Sequence, residues 1–83
     1  MTGNIEVEVR LYAALRQYHP QVGVGEALVV SLPAGTTLND LRAHLGLPED
    51  EIKIAFVNNR HQGWNYQLTP GDRVALFPPV AGG

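Results

Sequence analysis

Apolar and polar residues alternate without a break from Ile5 to Tyr12. Ile5, Val7, Val9 and Leu11 fall on one side of an extended chain, and Glu6, Glu8, Arg10 and Tyr12 on the other. A period of two with one polar side predicts a half-buried strand. Residues 13–19 fit a short helical turn stopped by Pro20, and 21–25 a loop. The strand period resumes over 26–32, with Leu28, Val30 and Leu32 in step, and Pro33, Ala34 and Gly35 end it.

The pattern then changes to a helical one. Leu38, Leu41 and Leu45 fall at i, i+3 and i+7, one stripe of a helix. Thr37 with Asp40 three residues later is a capping box in which aspartate replaces the usual glutamate. Gly46 stands where a left-handed residue ends a helix, and Pro48 prevents continuation. The spacing predicts a helix over about 38–45, followed by an acidic turn at 48–51. Residues 52–58 read as a strand with Ile52, Ile54 and Phe56 in phase, 58–60 as a turn, and 61–68 as a weaker strand. Thr69-Pro70-Gly71-Asp72 is a turn, since proline fixes φ at its second position and glycine permits positive φ at its third. The last strand is 73–77, with Val74 and Leu76 inward and Arg73, Ala75 and Phe77 outward.

One helix against one face of a mixed sheet is an α+β, two-layer architecture. The first and last strands alternate most steadily and belong in the middle of the sheet. As neighbours they can run parallel, with everything between them forming the crossover.

Composition narrows the functional classes. A chain of 83 residues forms one domain, because a second core would bury too little surface. The formal charge of −2 offers no footprint for nucleic acid or an anionic membrane. The absence of cysteine excludes a disulfide framework, a thiolate metal site and a thiol nucleophile. No apolar run reaches the length of a membrane span and no basic-then-apolar leader opens the chain, so a soluble, cytoplasmic protein is expected. His19, His44 and His61 lie in separate elements without ligand spacing and read as surface residues, with no metal site. Asp40 and Glu49–Glu51 read as a cap and a solvated turn, and Ser31 lacks a nucleophile context. No glycine-rich phosphate loop is present. The chain is expected to have no active site and no bound cofactor of its own.

The end of the chain differs from a polar tail. The final strand runs directly into Pro78, Pro79, Val80, Ala81, Gly82 and Gly83. Two prolines favour a stiff polyproline II exit. Six residues at about 3.3 Å each reach roughly 20 Å from the body. Two glycines without Cβ let the backbone pass a narrow channel and let another active site close on the terminal carboxylate. A folded domain over 1–77 thus presents residues 78–83 as a probe. Strand parity puts Tyr12 and Phe77 together on the uncovered sheet face near the root of that tail, an expected partner-docking patch. Trp64 is expected to pack in the core or a loop.

The segment GDRVALFPPVAGG (71–83) resembles the C-terminal signature of ubiquitin-like sulfur carriers of the MoaD/ThiS type, specifically the small subunit of molybdopterin synthase (the MoaD family). VRLYAALRQY (9–18), LPAGTTLNDLRAHLG (32–46) and AFVNNR (55–60) are similar to further stretches of that family in the same order, while 61–68 departs from its pattern. The resemblance implies a β-grasp fold. It also implies that an E1-like adenylyltransferase of the MoeB type, using ATP and Mg²⁺, adenylates Gly83. A sulfur-donor enzyme then makes a thiocarboxylate there. The tail, Pro78 to Gly82, enters the large synthase subunit (MoaE type), and sulfur passes to precursor Z to build the dithiolene of molybdopterin. Two alternatives share this chemistry up to the adenylate. One is a ubiquitin-like modifier joined through Gly83 to lysines. The other is a sulfur carrier for another acceptor, in a thiazole or tungsten-cofactor pathway.

Overall fold

The structure, a computed structural model, describes residues 3–23 and 26–79. Five strands form one mixed sheet: β1 (Asn4–Leu11), β2 (Leu28–Pro33), β3 (Ile54–Val57), β4 (Arg60–Gln62) and β5 (Arg73–Phe77). The spatial order is β2-β1-β5-β3-β4. β1 and β5 are parallel neighbours in the register Glu8–Arg73 to Leu11–Leu76, and the other pairings are antiparallel. The one α-helix among the described residues, α1 (Leu38–His44), follows β2. Mixed sheet, lone helix and a parallel first and last strand make this a β-grasp α+β fold.

The core lies on one face of the sheet. Ile5, Val7 and Val9 of β1, Val30 and Leu32 of β2, and Val74 and Leu76 of β5 are buried there with Leu38, Leu41 and Leu45 of the helix segment. Each such aliphatic side chain contributes roughly 1.5–3 kcal/mol by leaving water. Leu15, from a 3₁₀ turn at Ala13–Tyr18, closes the same core.

Only two helical turns are available, so the ends of α1 matter. The Thr37 hydroxyl accepts from the Asp40 N–H and the Asp40 carboxylate accepts from the Thr37 N–H, both at 3.2 Å. The Leu38 and Asn39 N–H groups, which no intrahelical carbonyl can satisfy, donate to the carbonyls of Tyr66 and Trp64 at 3.0 Å. At the other end Gly46 has φ +75°. The Gly46 and Leu47 N–H groups close back on the Ala43 and Arg42 carbonyls at 3.1 Å, a Schellman termination with Leu47 buried behind it.

Three expectations need correction. The in-phase set Ile52, Ile54 and Phe56 is not the buried face of β3: Ala55 and Val57 point into the core, and Ile54 and Phe56 are half-buried on the opposite face. Ile52 is buried but precedes the strand. Residues 61–68 are not one strand. β4 spans Arg60–Gln62, paired with β3 through a two-residue turn in which Asn58 and Asn59 have φ +53° and +70°, a type I′ hairpin. The rest of that stretch is a loop whose carbonyls cap α1, with Trp64 and Tyr66 packed against the core. His44 and His61 are exposed as expected, but His19 is half-buried, its Nε2 3.0 Å from the Leu45 carbonyl oxygen.

Candidate functional site: the uncovered sheet face and the root of the tail

The sheet face away from α1 is the part of the molecule that the core leaves open. Tyr12 extends β1 by one rung, its N–H donating to the Leu76 carbonyl at 3.2 Å, which carries its ring over Phe77. The two rings stack with centroids 4.6 Å apart and planes 8° from parallel. Phe56 meets Phe77 edge-on at 5.7 Å and His61 at 5.8 Å. Ile54 pairs with Phe77 across the β3–β5 register, on the same face. The backbone bends sharply after Tyr12 through Ala13 at φ +53°, which keeps Ala13 and Ala14 at the rim.

Together with Pro78 and Pro79 these side chains line a shallow apolar depression of about 560 Å³. Its lining carries no charged side chain, and Tyr12 is 37% exposed, one of two large apolar residues so exposed among the described residues. A contiguous apolar surface on a chain this small is a candidate contact surface. Farther along the same face the character changes: Arg10 and Arg73 line a second depression, with Glu8 3.6 Å from Arg10.

Sequence parity brings Tyr12 and Phe77 together, and the structure places both at this depression. Pro78 is half-buried beside them and Pro79 exposed. Val80, Ala81, Gly82 and Gly83 lie outside the described residues. Ile54 and Phe56 complete the patch, although their phase in the sequence assigns them to the core. Their signal lies in the apolar character of both faces of IAFV.

The strand that carries the tail is held at both ends. At its exit, the Phe77 carbonyl accepts from the Lys53 N–H at 2.9 Å. At its entry, the buried Asp72 carboxylate accepts from the Thr69 N–H (2.8 Å), the Thr69 hydroxyl (2.9 Å) and the Asn58 amide (2.9 Å), with the Tyr66 hydroxyl at 3.4 Å. The Asn58 side-chain oxygen Oδ1 in turn accepts from the Arg73 N–H at 3.0 Å. Burial pushes the Asp72 carboxyl upward, but the donors around it outweigh burial and hold it below the ordinary carboxylate value. Burial, then the nearby Asp72 charge, pushes the Tyr66 hydroxyl up. Gly71 at φ +81° lets this turn close, with the Asp72 N–H donating to the Thr69 carbonyl at 3.2 Å.

Among the described residues no three His, Asp or Glu side chains gather as metal ligands. No helix among them is long and apolar enough to cross a membrane. The site offers an apolar face beside the end of β5.

Residues 9–83 match the ThiS family. Among solved structures the chain is similar to a putative molybdopterin converting factor, subunit 1, from Pyrococcus furiosus, at 26% identity and TM-score 0.71, covering 92% of this chain and 99% of that one. It is also similar to a chain in the complex of subunits 1 and 2 of the molybdopterin-converting factor from Helicobacter pylori, at 26% identity and TM-score 0.58, covering 95% and 100%. The small archaeal modifier protein 1 of H. volcanii shares the fold at 22% identity and TM-score 0.71, covering 92% and 99%. A comparison with curated proteins gives no match.

Proposed function

The chain belongs to the ThiS family, and on that premise we propose that it carries sulfur as a thiocarboxylate on Gly83 and delivers it as the small subunit of a molybdopterin-synthase-type complex. The observation that carries this reading is the stacked Tyr12–Phe77 pair at the root of the tail, on an apolar face that continues through Ile54 and Phe56. A partner that grips this face receives Pro78 and the residues after it in a fixed direction. The Helicobacter pylori relative is described in complex with its second subunit, which supports a large subunit of the MoaE type as that partner.

The chemistry requires help from other proteins. An α-carboxylate with pKa about 3.3–3.7 is ionised at neutral pH and resists nucleophilic attack. An E1-like enzyme of the MoeB type, using ATP and Mg²⁺, joins the Gly83 carboxylate to AMP and expels pyrophosphate. Sulfide-level sulfur from a donor enzyme then attacks the acyl carbon, and the new C–S bond forms as AMP leaves, giving the thiocarboxylate. With no cysteine in the chain, the terminal carboxyl is the one covalent carrier for sulfur. Gly82, having no Cβ, supplies the clearance that lets both enzymes close on it, and Val80 and Ala81 belong to the same inserted tail.

The test is intact mass of the chain after incubation with such an activating enzyme, ATP and a sulfur donor. An oxygen-for-sulfur mass gain localised to Gly83 is expected, and an unmodified chain with every activating enzyme tried refutes the proposal. A second reading rests on the fold shared with the small archaeal modifier protein. In it the same adenylate is captured by lysine amines of other proteins. A remnant of residues 74–83 on target lysines after tryptic cleavage at Arg73, with no thiocarboxylate, would select it.

A further inference from the structure

The open edge of the sheet at β2 is unlike the other edge. β4 is three residues long and carries Arg60 and His61, the short, charged form that discourages strand addition. β2 is six residues long, LVVSLP, with no charge, and Val29 is 66% exposed.

The backbone of this edge can be read from its neighbours. In β1 the Glu6 carbonyl accepts from the Gly71 N–H (2.8 Å), the Glu8 N–H donates to the Asp72 carbonyl (2.9 Å), and Tyr12, also even-numbered, donates to Leu76. Even-numbered residues of β1 therefore turn their backbone groups toward β5, and odd-numbered ones toward β2. The hydrogen-bonded pairs of the β1–β2 ladder are then Ile5–Leu32, Val7–Val30 and Val9–Leu28. Val29 and Ser31 are left with their N–H and C=O groups facing outward. Pro33 ends this row, having no N–H and a carbonyl that accepts from the Thr36 N–H and hydroxyl (3.3 and 2.7 Å).

The side chains around the edge define what it fits. Glu6 lies opposite Ser31 and Glu8 opposite Val29. Glu8 has Arg10 at 3.6 Å, whereas the Glu6 carboxylate has no partner among the described residues. We infer that β2 is a strand-addition site for a basic, β-branched segment of another protein, paired antiparallel with Val29 and Ser31. Strands lie about 4.8 Å apart, so a residue facing Ser31 stands about 10 Å from Glu6, within reach of a lysine or arginine passing over the small serine. Two residues later the partner faces Val29, where valine or isoleucine packs best. The recognised pattern is Lys/Arg-x-Val/Ile, read N to C. A second copy of this chain fits poorly, since it would bring another Glu6 and Glu8 to the seam and no basic residue. The site is independent of the tail and of the proposed sulfur chemistry.

The test is titration of the isotope-labelled full chain with the capped peptide S-T-K-T-V-T-S, followed by amide NMR, with S-T-E-T-V-T-S as control. Shifts centred on Val29 and Ser31, lost at high salt and absent with the control, are expected. Val29→Lys, at an exposed position where the fold is undisturbed, should abolish them, and Glu6→Gln should weaken binding about two- to fivefold, as for an exposed ion pair. Equal binding of the two peptides, shifts centred on Tyr12 and Phe77 instead, or no shifts at millimolar peptide would overturn the inference. So would a concentration-dependent dimer of the chain that protects the same two amides.

Discussion

Replacing Asp72 by alanine should cost the domain more than any exposed polar substitution. The carboxylate is 3% exposed and receives four donors. Bonds to a charged acceptor are each worth about 1.5–3 kcal/mol when a buried partner is lost. Thr69 and Asn58 reach solvent at their outer sides, so water recovers part of this, and the Tyr66 bond is long. The net loss is then about 2–3 kcal/mol, a fall in Tm on the order of 10–20 °C for a domain of this size. The effect depends on pH in a definite direction. The folded carboxyl binds its proton less tightly than the unfolded one, whose pKa is about 3.9. The stabilisation is complete above that value and disappears as pH falls through the lower folded pKa. Urea unfolding from pH 7 to pH 2 should show wild type and Asp72→Ala converging in acid, with Asp72→Asn between them at neutral pH. Equal midpoints at pH 7, or a constant gap down to pH 2, would refute the assignment of this carboxylate as the clamp at the entry to β5.

Phe77→Ala should remove the Tyr12 stack and the Phe56 edge contact, lowering stability by about 1–2 kcal/mol. In calorimetry it should sharply weaken docking to a molybdopterin-synthase large subunit. Deleting Gly82 and Gly83 should leave thermal unfolding unchanged yet abolish sulfur transfer, and Gly82→Ile should do the same by steric exclusion; unfolding of the truncated chain would contradict this. Thr37→Ala should cost about 1 kcal/mol by opening one side of the capping box, measured by denaturant midpoint.

The two central strands and the helix were legible because their apolar periods report burial directly. Val7, Val9, Val74 and Leu76 alternate with charged or small residues, and the Thr37, Gly46 and Pro48 signals bracket α1. β3 misled for a physical reason. Both of its faces are apolar, one packed on the core and one left open at the Tyr12–Phe77 patch, so size and hydrophobicity favoured Ile54 and Phe56 over Ala55 for the interior. The same ambiguity hid half of the candidate site. The Asp72 clamp was invisible for another reason: the turn motif marks the aspartate, but Asn58 joins it only through the β3–β5 register. The loop after β4 carries no periodic signal because it contributes carbonyls, and any sequence can supply those.

The parallel pairing of β1 with β5 also sets the order in which the protein can become functional. These strands are more than 60 residues apart in sequence, so closing the sheet is a long-range event that must await β5. The aromatic patch is assembled from β1, β3 and β5 at once, and does not exist in a fragment that lacks β5. A nascent or prematurely terminated chain thus lacks the handle by which a partner would hold it. The topology ties the open apolar face to β5, displaying it only on molecules in which that strand is already in place.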